Sequence, residues 1–284
     1  MDNREFSELY GRYIDTSSIE NKRLDICYGN KPKNRMDVYY PDLYLDKYPA
    51  IVFIHGGAFF KGDKKRYQLK PALQGLKYGY AVISIDYSLA PEELLPQAYI
   101  DVRKAVNFII ENSEMLKIDK ERICLWGESV GASLALYTAI VDEMPFDRSS
   151  PFPVIQAIID WYAPIDLIEA EDRLKKVGGQ DRSGGSLYEA LFGKKADQLH
   201  RAMEELDPTC YLKDAVIPPV LIEHGDKDPV VDLSQSIHFR EELLKYLPEE
   251  QAPMRIVEGA GHGVEYFQEQ ENLDYVFKFI QRYV

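Results

Sequence analysis

The chain has little with which to staple itself together. Its three cysteines, Cys27, Cys124 and Cys210, are widely spaced, odd in number and form no CxxC pair. A disulfide framework, a cysteine zinc site and a dithiol redox centre are therefore excluded, and reduced, buried thiols are expected. No stretch approaches the ~18 consecutive apolar residues that a membrane-spanning helix needs. Met1 to Tyr10 mixes acidic, basic and polar residues without the apolar core of a signal peptide, so a cytoplasmic location is expected. Positive charge is also scarce, with 34 Lys and Arg against 47 Asp and Glu, a net charge of −13. A nucleic-acid partner is excluded on that ground, because phosphate binding depends on Lys and Arg neutralising the backbone. There is no internal repeat, low-complexity tract or Pro/Ser-rich linker, so residues 1–284 are read as one domain.

What is present is a core. Apolar residues make up 45% of 284 positions, and a chain of this length buries roughly 75% of its unfolded surface. Short runs rich in β-branched residues occur at Ala50–His55, Tyr80–Tyr87, Glu121–Trp126, Val154–Tyr162, Pro219–His224 and Met254–Glu258. Their near-continuous hydrophobicity suits strands covered on both faces of a parallel sheet. Arg23–Tyr28 and Met36–Tyr40 read as an edge hairpin before them. Between the strands, Gln97–Asn112, Ser129–Val141, Leu233–Leu247 and Glu271–Tyr283 place apolar residues at i, i+3 and i+4, as amphipathic helices do. This alternation predicts an α/β fold with a mostly parallel sheet of about eight strands and helices on both faces. The rhythm breaks after the sixth strand: residues 164–218 show no strand and contain a glycine-rich patch, Val177–Gly185, so a small lid or cap insertion is expected there.

Gly127-Glu128-Ser129-Val130-Gly131 follows a predicted strand and opens a predicted helix. The letters GxSxG alone recur by chance in roughly one chain in ten of this length. The setting is what matters, because flanking glycines permit the tight turn that lifts a serine Oγ clear of a sheet edge. A hydroxyl is a weak nucleophile near neutrality and needs a base within hydrogen-bond reach. Of the five histidines, His55 belongs to a glycine turn, His224 ends a strand, and His200 and His238 lie in helical patterns. His262, in the loop Glu258-Gly259-Ala260-Gly261-His262-Gly263 after the last strand, is the candidate base. A carboxylate is then needed to fix the tautomer of the histidine. Asp226 and Asp228 both follow the strand before it and both fit the order nucleophile, acid, base; Asp228 is favoured, with Asp226 shaping the turn. Donors for a developing oxyanion are offered by the N–H groups of Val130 and of Gly57 and Ala58, in the turn His55-Gly56-Gly57-Ala58-Phe59. Phe59, Phe60 and Tyr162 are candidates for lining a substrate pocket. No metal or other cofactor is called for.

The stretches DVYYP at Asp37, HGGAFFKGDK at His55, DYSLAPE at Asp86, GESVGASLA at Gly127, HGDKDPVV at His224 and GAGHG at Gly259 occur in one order along most of the chain from Met36. Together they resemble the carboxylesterase branch of the α/β-hydrolase fold that carries an HGGG-type oxyanion loop, which includes the hormone-sensitive-lipase-like, acetyl and feruloyl esterases. The resemblance implies Ser129, Asp228 and His262 as catalytic triad and Gly57 and Ala58 in the oxyanion hole. It implies hydrolysis of a small-molecule ester, short-chain acyl (acetyl-like), through an acyl-enzyme. An amidase or formamidase using the same triad and a non-catalytic ligand-binding homologue are the alternatives, and a homodimer is the one macromolecular assembly entertained. Two departures stand out: Ala58 replaces the third glycine of HGGG, and Ser88 stands where the DYRLAPE form has arginine. The first is tolerable provided that the φ of Ala58 is negative. The second removes a charge and leaves substrate preference more open.

Overall fold

The computed structural model describes residues 11–176 and 186–284; Met1–Tyr10 and the glycine-rich patch 177–185 lie outside the described residues. Eight strands, β1 (Lys22–Cys27), β2 (Arg35–Tyr39), β3 (Tyr48–Ile54), β4 (Ala81–Ile85), β5 (Ile118–Glu128), β6 (Ala157–Trp161), β7 (Val220–Gly225) and β8 (Met254–Val257), form one sheet in the order β1-β2-β4-β3-β5-β6-β7-β8. β1 and β2 pair antiparallel, as do β2 and β4, and every later pairing is parallel. Every residue of β3, β4, β6 and β7 is buried. That is why these strands read as unbroken apolar runs rather than alternating ones.

The covering layers bury two separate cores. On one face lie α1 (Gln97–Glu111), α2 (Val130–Ile140) and α6 (Leu233–Leu243), with Tyr99, Val102, Leu134 and Phe239 in one core; α1 and α2 pack over β5, and α6 over β7. On the other lie α7 (Gln270–Tyr283) and the short helical turns of residues 67–78, where Phe277 stacks on Tyr78 at 4.3 Å and meets the edge of Trp126 at 5.9 Å. α2 departs from the amphipathic pattern read in the sequence, since all of its residues are buried. A helix apolar all round belongs inside a structure. Here α2 lies in the core that it shares with α1, and Tyr137 reaches beyond it to donate its O–H to the Glu205 carbonyl at 2.9 Å.

After β6 come α3 (Leu167–Lys176), α4 (Leu187–Phe192) and α5 (Ala196–Glu204), and no strand occurs among the described residues of 164–218. Tyr188, Leu191, Phe192, Leu199 and Met203 bury their side chains into the same core as α1 and α2, and the Leu191 carbonyl accepts from Leu95 N–H at 2.9 Å. The expectation of buried thiols holds only for Cys124; Cys27 and Cys210 are exposed, Cys27 because it ends the outermost strand and Cys210 because it lies on a surface helical turn. No helix among the described residues is long and apolar enough to cross a membrane.

Two acids inside the sheet give the fold a pH dependence. Burial pushes Asp160 on β6 up to about 7, against the opposing pull of the Ala163 N–H and of His224. Burial likewise pushes Glu223 on β7 to about 7, opposed by Asn272, Arg255 and Trp161. An unfolded carboxyl ionises near 4, so between roughly pH 4 and 7 the folded state holds protons that the unfolded chain has released, and each group costs stability as pH rises. Asp160→Asn removes one of these costs. The melting temperature of the variant relative to the parent should therefore climb between pH 5 and pH 8 in thermal unfolding followed by circular dichroism; a difference independent of pH would contradict the assignment.

Candidate active site

The carboxyl ends of β3, β5, β6, β7 and β8 converge, and the chain crosses from one half of the sheet to the other between β3 and β5. In open α/β sheets ligands bind at that crossing. β5 runs through Glu128 and turns into α2 at Ser129, whose backbone is held at φ 53°, ψ −131°. Such a conformation is costly for a non-glycine residue and survives only when its surroundings enforce it. The two glycines of the motif are required by close approach: a Cβ on Gly127 would lie 2.3 Å from the Ala132 nitrogen, and one on Gly131 would lie 2.1 Å from the Ile54 carbonyl oxygen. The Ser129 N–H donates to the Trp161 carbonyl at 2.8 Å, tying the bend to the end of β6.

Three side chains that are distant in sequence meet here. Ser129 Oγ lies 2.9 Å from His262 Nε2, and His262 Nδ1 lies 2.7 Å from Asp228 Oδ2. Asp228 Oδ1 accepts the N–H groups of Val230 and Val231 at 2.7 and 2.9 Å. Burial alone would raise this acid; hydrogen bonds from His224, His262 and the Val230 N–H outweigh it and hold the carboxyl well below the usual carboxylate range. Asp228 is thus an ionised acceptor that keeps hydrogen on His262 Nδ1 and leaves Nε2 open towards the serine. Asp226 points elsewhere, accepting from Gly259 N–H at 2.6 Å and pairing with Lys227 at 3.1 Å, so it braces the loop that carries His262.

The turn after β3 faces this group. The N–H groups of Gly57, Ala58 and Val130 make no hydrogen bond among the described residues, and Gly57 and Ala58 share a cleft of about 1010 Å³ with Ser129 and His262. One proviso read in the sequence fails: Ala58 has φ +54°, and Phe59 follows at +63°. The turn coils through the left-handed region from Gly57 (φ +121°), and it is held there by bonds from Phe60 and Lys61 N–H to the Gly57 carbonyl and from Ala90 N–H to the Phe59 carbonyl at 2.8 Å. His55 underpins it. Burial pushes its imidazole down to about 4, so the neutral ring donates from Nδ1 to the Gly56 carbonyl at 2.7 Å and stacks on Tyr87 at 4.4 Å.

The candidate pocket aromatics divide. Phe60 lines the cleft together with Tyr13, Leu89, Leu187 and Val230. Phe59 and Tyr162 do not: they are 2% and 0% exposed. The left-handed turn sends Phe59 inwards towards Tyr99, and Tyr162 lies behind His262, with ring centroids 4.7 Å apart. Two functional neighbours were missed in the sequence. His224, buried between Ser236 Oγ (2.7 Å) and the Val231 carbonyl (3.1 Å), places Nε2 3.4 Å from Asp228 Oδ2. Glu128, the x of GxS, is fully buried and accepts the Gly56 N–H at 2.7 Å. The signal for Glu128 was an acidic residue closing an apolar strand. Among the described residues no cluster of three or more His, Cys, Asp or Glu side chains is arranged to hold a metal ion.

Comparison with known proteins gives a consistent picture. The model of a family described as BD-FAE matches residues 36–243. An acetyl esterase of Salmonella paratyphi B is 27% identical over 192 residues, covering 66% of this chain and 58% of that protein. An isoprenylcysteine alpha-carbonyl methylesterase of Arabidopsis thaliana is 26% identical over 232 residues, covering 78% of this chain and 52% of that protein. The chain therefore spans between half and three-fifths of the length of these curated relatives. Among solved structures, a truncated carbohydrate esterase from gut microbiota superimposes with a TM-score of 0.77 at 23% identity, covering 95% of this chain and 99% of that one, which establishes the α/β-hydrolase fold.

Proposed function

Because the chain belongs to the BD-FAE family, we propose that it is a serine carboxylic-ester hydrolase acting on short-chain, acetyl-like acyl esters, within a single α/β-hydrolase domain. The observation that carries this reading is the continuous relay Ser129 Oγ, His262, Asp228 at 2.9 and 2.7 Å, opening onto a cleft lined by Gly57 and Ala58, whose N–H groups are uncommitted among the described residues.

The chemistry follows from the geometry. Ser129 Oγ attacks the ester carbonyl carbon while His262 Nε2 takes its proton, and the imidazolium so formed is stabilised by Asp228. The carbonyl oxygen becomes an oxyanion next to the N–H of Val130, at the start of α2 where the helix dipole favours negative charge, and next to those of Gly57 and Ala58. His262 then protonates the departing alkoxide. Water, deprotonated by the same nitrogen, hydrolyses the acyl-enzyme and releases the acid. The described residues of this stretch, 164–176 and 186–218, act as a cap on one side of the cleft, to which they contribute Leu187. The short acyl preference draws on the similarity to the Salmonella acetyl esterase. A panel of p-nitrophenyl esters of graded chain length, run beside N-formyl amides, tests the reading: acetate and butyrate should turn over fastest, whereas turnover of the amides with the esters untouched would overturn it.

A further inference from the structure

Backbone strain in this protein is concentrated in one place. Among the described residues six non-glycine positions have positive φ, and four of them are Ala58, Phe59, Ser129 and Tyr162. These four belong to three segments, the turn after β3, the elbow after β5 and the end of β6, and the three segments meet around the side chain of Glu128. Strained positions persist only where neighbouring contacts over-determine them, and they gather where a site has to be held ready in advance.

Beyond the main-chain bonds already described, the Glu128 carboxylate ties the segments to one another. Its Oε1 accepts the Gly56 N–H at 2.7 Å and the Gln68 Nε2–H at 3.0 Å, and its Oε2 accepts the Tyr162 O–H at 3.1 Å. Gly56 immediately precedes the donors Gly57 and Ala58, and it has been left without a side chain where a Cβ would lie 2.5 Å from Glu128 Oε1. Tyr162 in turn backs the ring of His262. One carboxylate, adjacent in sequence to the nucleophile, therefore grips the oxyanion turn with one oxygen and the support of the base with the other. Resting on the serine-hydrolase reading above, we infer that Glu128 is a positioning residue: it fixes the distance between the Gly57–Ala58 donors, Ser129 and His262 without touching the substrate.

Such a role acts on the transition state rather than on substrate binding. Misplacing a catalytic group by about 1 Å costs on the order of 10²-fold in rate, so Glu128→Ala should lower kcat about 10²-fold for p-nitrophenyl acetate with KM little changed. Affinity for a boronic acid, which mimics the tetrahedral adduct on serine, should fall in parallel. Glu128→Gln keeps an oxygen for Gly56 and Gln68 and offers Tyr162 an N–H, so it should recover most of the rate. Tyr162→Phe cuts only the second grip and should fall between the two. Should Glu128→Ala fail to fold, the Gln and Phe variants decide alone, with Gln near the parent and Phe slower in kcat at unchanged KM. An unchanged kcat in the Ala variant, a loss confined to KM, or a Gln variant as impaired as the Ala one would each overturn the inference. A parent protein that hydrolyses no ester defeats the esterase reading instead, which keeps the two failures distinct.

Discussion

Ser129→Ala is expected to reduce kcat for p-nitrophenyl acetate by roughly 10⁶-fold while the protein stays folded. The size follows from the unit character of the relay: without Oγ there is no nucleophile for His262 to activate, and only the oxyanion donors and substrate binding remain. The intact fold follows from what the hydroxyl does not do. Ser129 caps α2 through its position in the chain, its side chain makes no capping hydrogen bond, and its N–H to Trp161 is a main-chain contact that alanine retains. The strained φ of 53° burdens serine and alanine alike. Steady-state rates beside thermal unfolding of both proteins measure the two halves of this expectation; a variant within tenfold of the parent would remove Ser129 from the chemistry.

Asp228→Asn is expected to cost about 10⁴-fold in kcat, and the hydrogen bonds of the site say why. The two oxygens of Asp228 have different partners. Oδ1 accepts two main-chain N–H groups, so the asparagine must keep its oxygen there, which forces its NH₂ into the place of Oδ2. That NH₂ then faces His262 Nδ1 and His224 Nε2, where the parent presents an acceptor. His262 has to carry its hydrogen on Nε2 instead, pointing at a hydroxyl whose proton it should be taking. Because the parent carboxyl is held well below the ordinary carboxylate range, Asp228 stays ionised above about pH 4, and the stability it contributes is lost only as pH falls through its lowered folded value. The variant should therefore show its deficit across the whole neutral range. A deficit that vanished at pH 8 would contradict the tautomer argument.

Much of this architecture could be read before any coordinates. The parallel strands were legible because burial on both faces turns them into short β-branched runs, and the meeting of Ser129, Asp228 and His262 was legible because each lies just past such a run. What escaped the reading was set by partners far along the chain. Phe59 and Phe60 are adjacent aromatics in one turn, and only the left-handed backbone at Ala58 and Phe59 decides that Phe60 meets the cleft while Phe59 turns inwards. Tyr162 reads as the end of a strand and a candidate pocket residue, yet the 34 residues that separate it from Glu128 close to one hydrogen bond. Gly56 and Glu128 are 72 residues apart, and no local pattern announces that pairing. The helix α2 was misread for a related reason: a hydrophobic stripe and a wholly apolar helix look alike when small residues such as Ala132, Ala135 and Ala139 occupy its far side.

The central claim is that Ser129 is a hydroxyl activated by His262, and covalent labelling asks this of the intact protein without reference to any natural substrate. An organophosphate such as diethyl p-nitrophenyl phosphate loses p-nitrophenolate when an activated serine attacks its phosphorus. Intact mass measurement followed by peptide mapping should find a single diethylphosphoryl adduct on Ser129, formed far more slowly in His262→Ala. An adduct on another residue, or labelling of Ser129 at the same rate without the imidazole, would contradict the account.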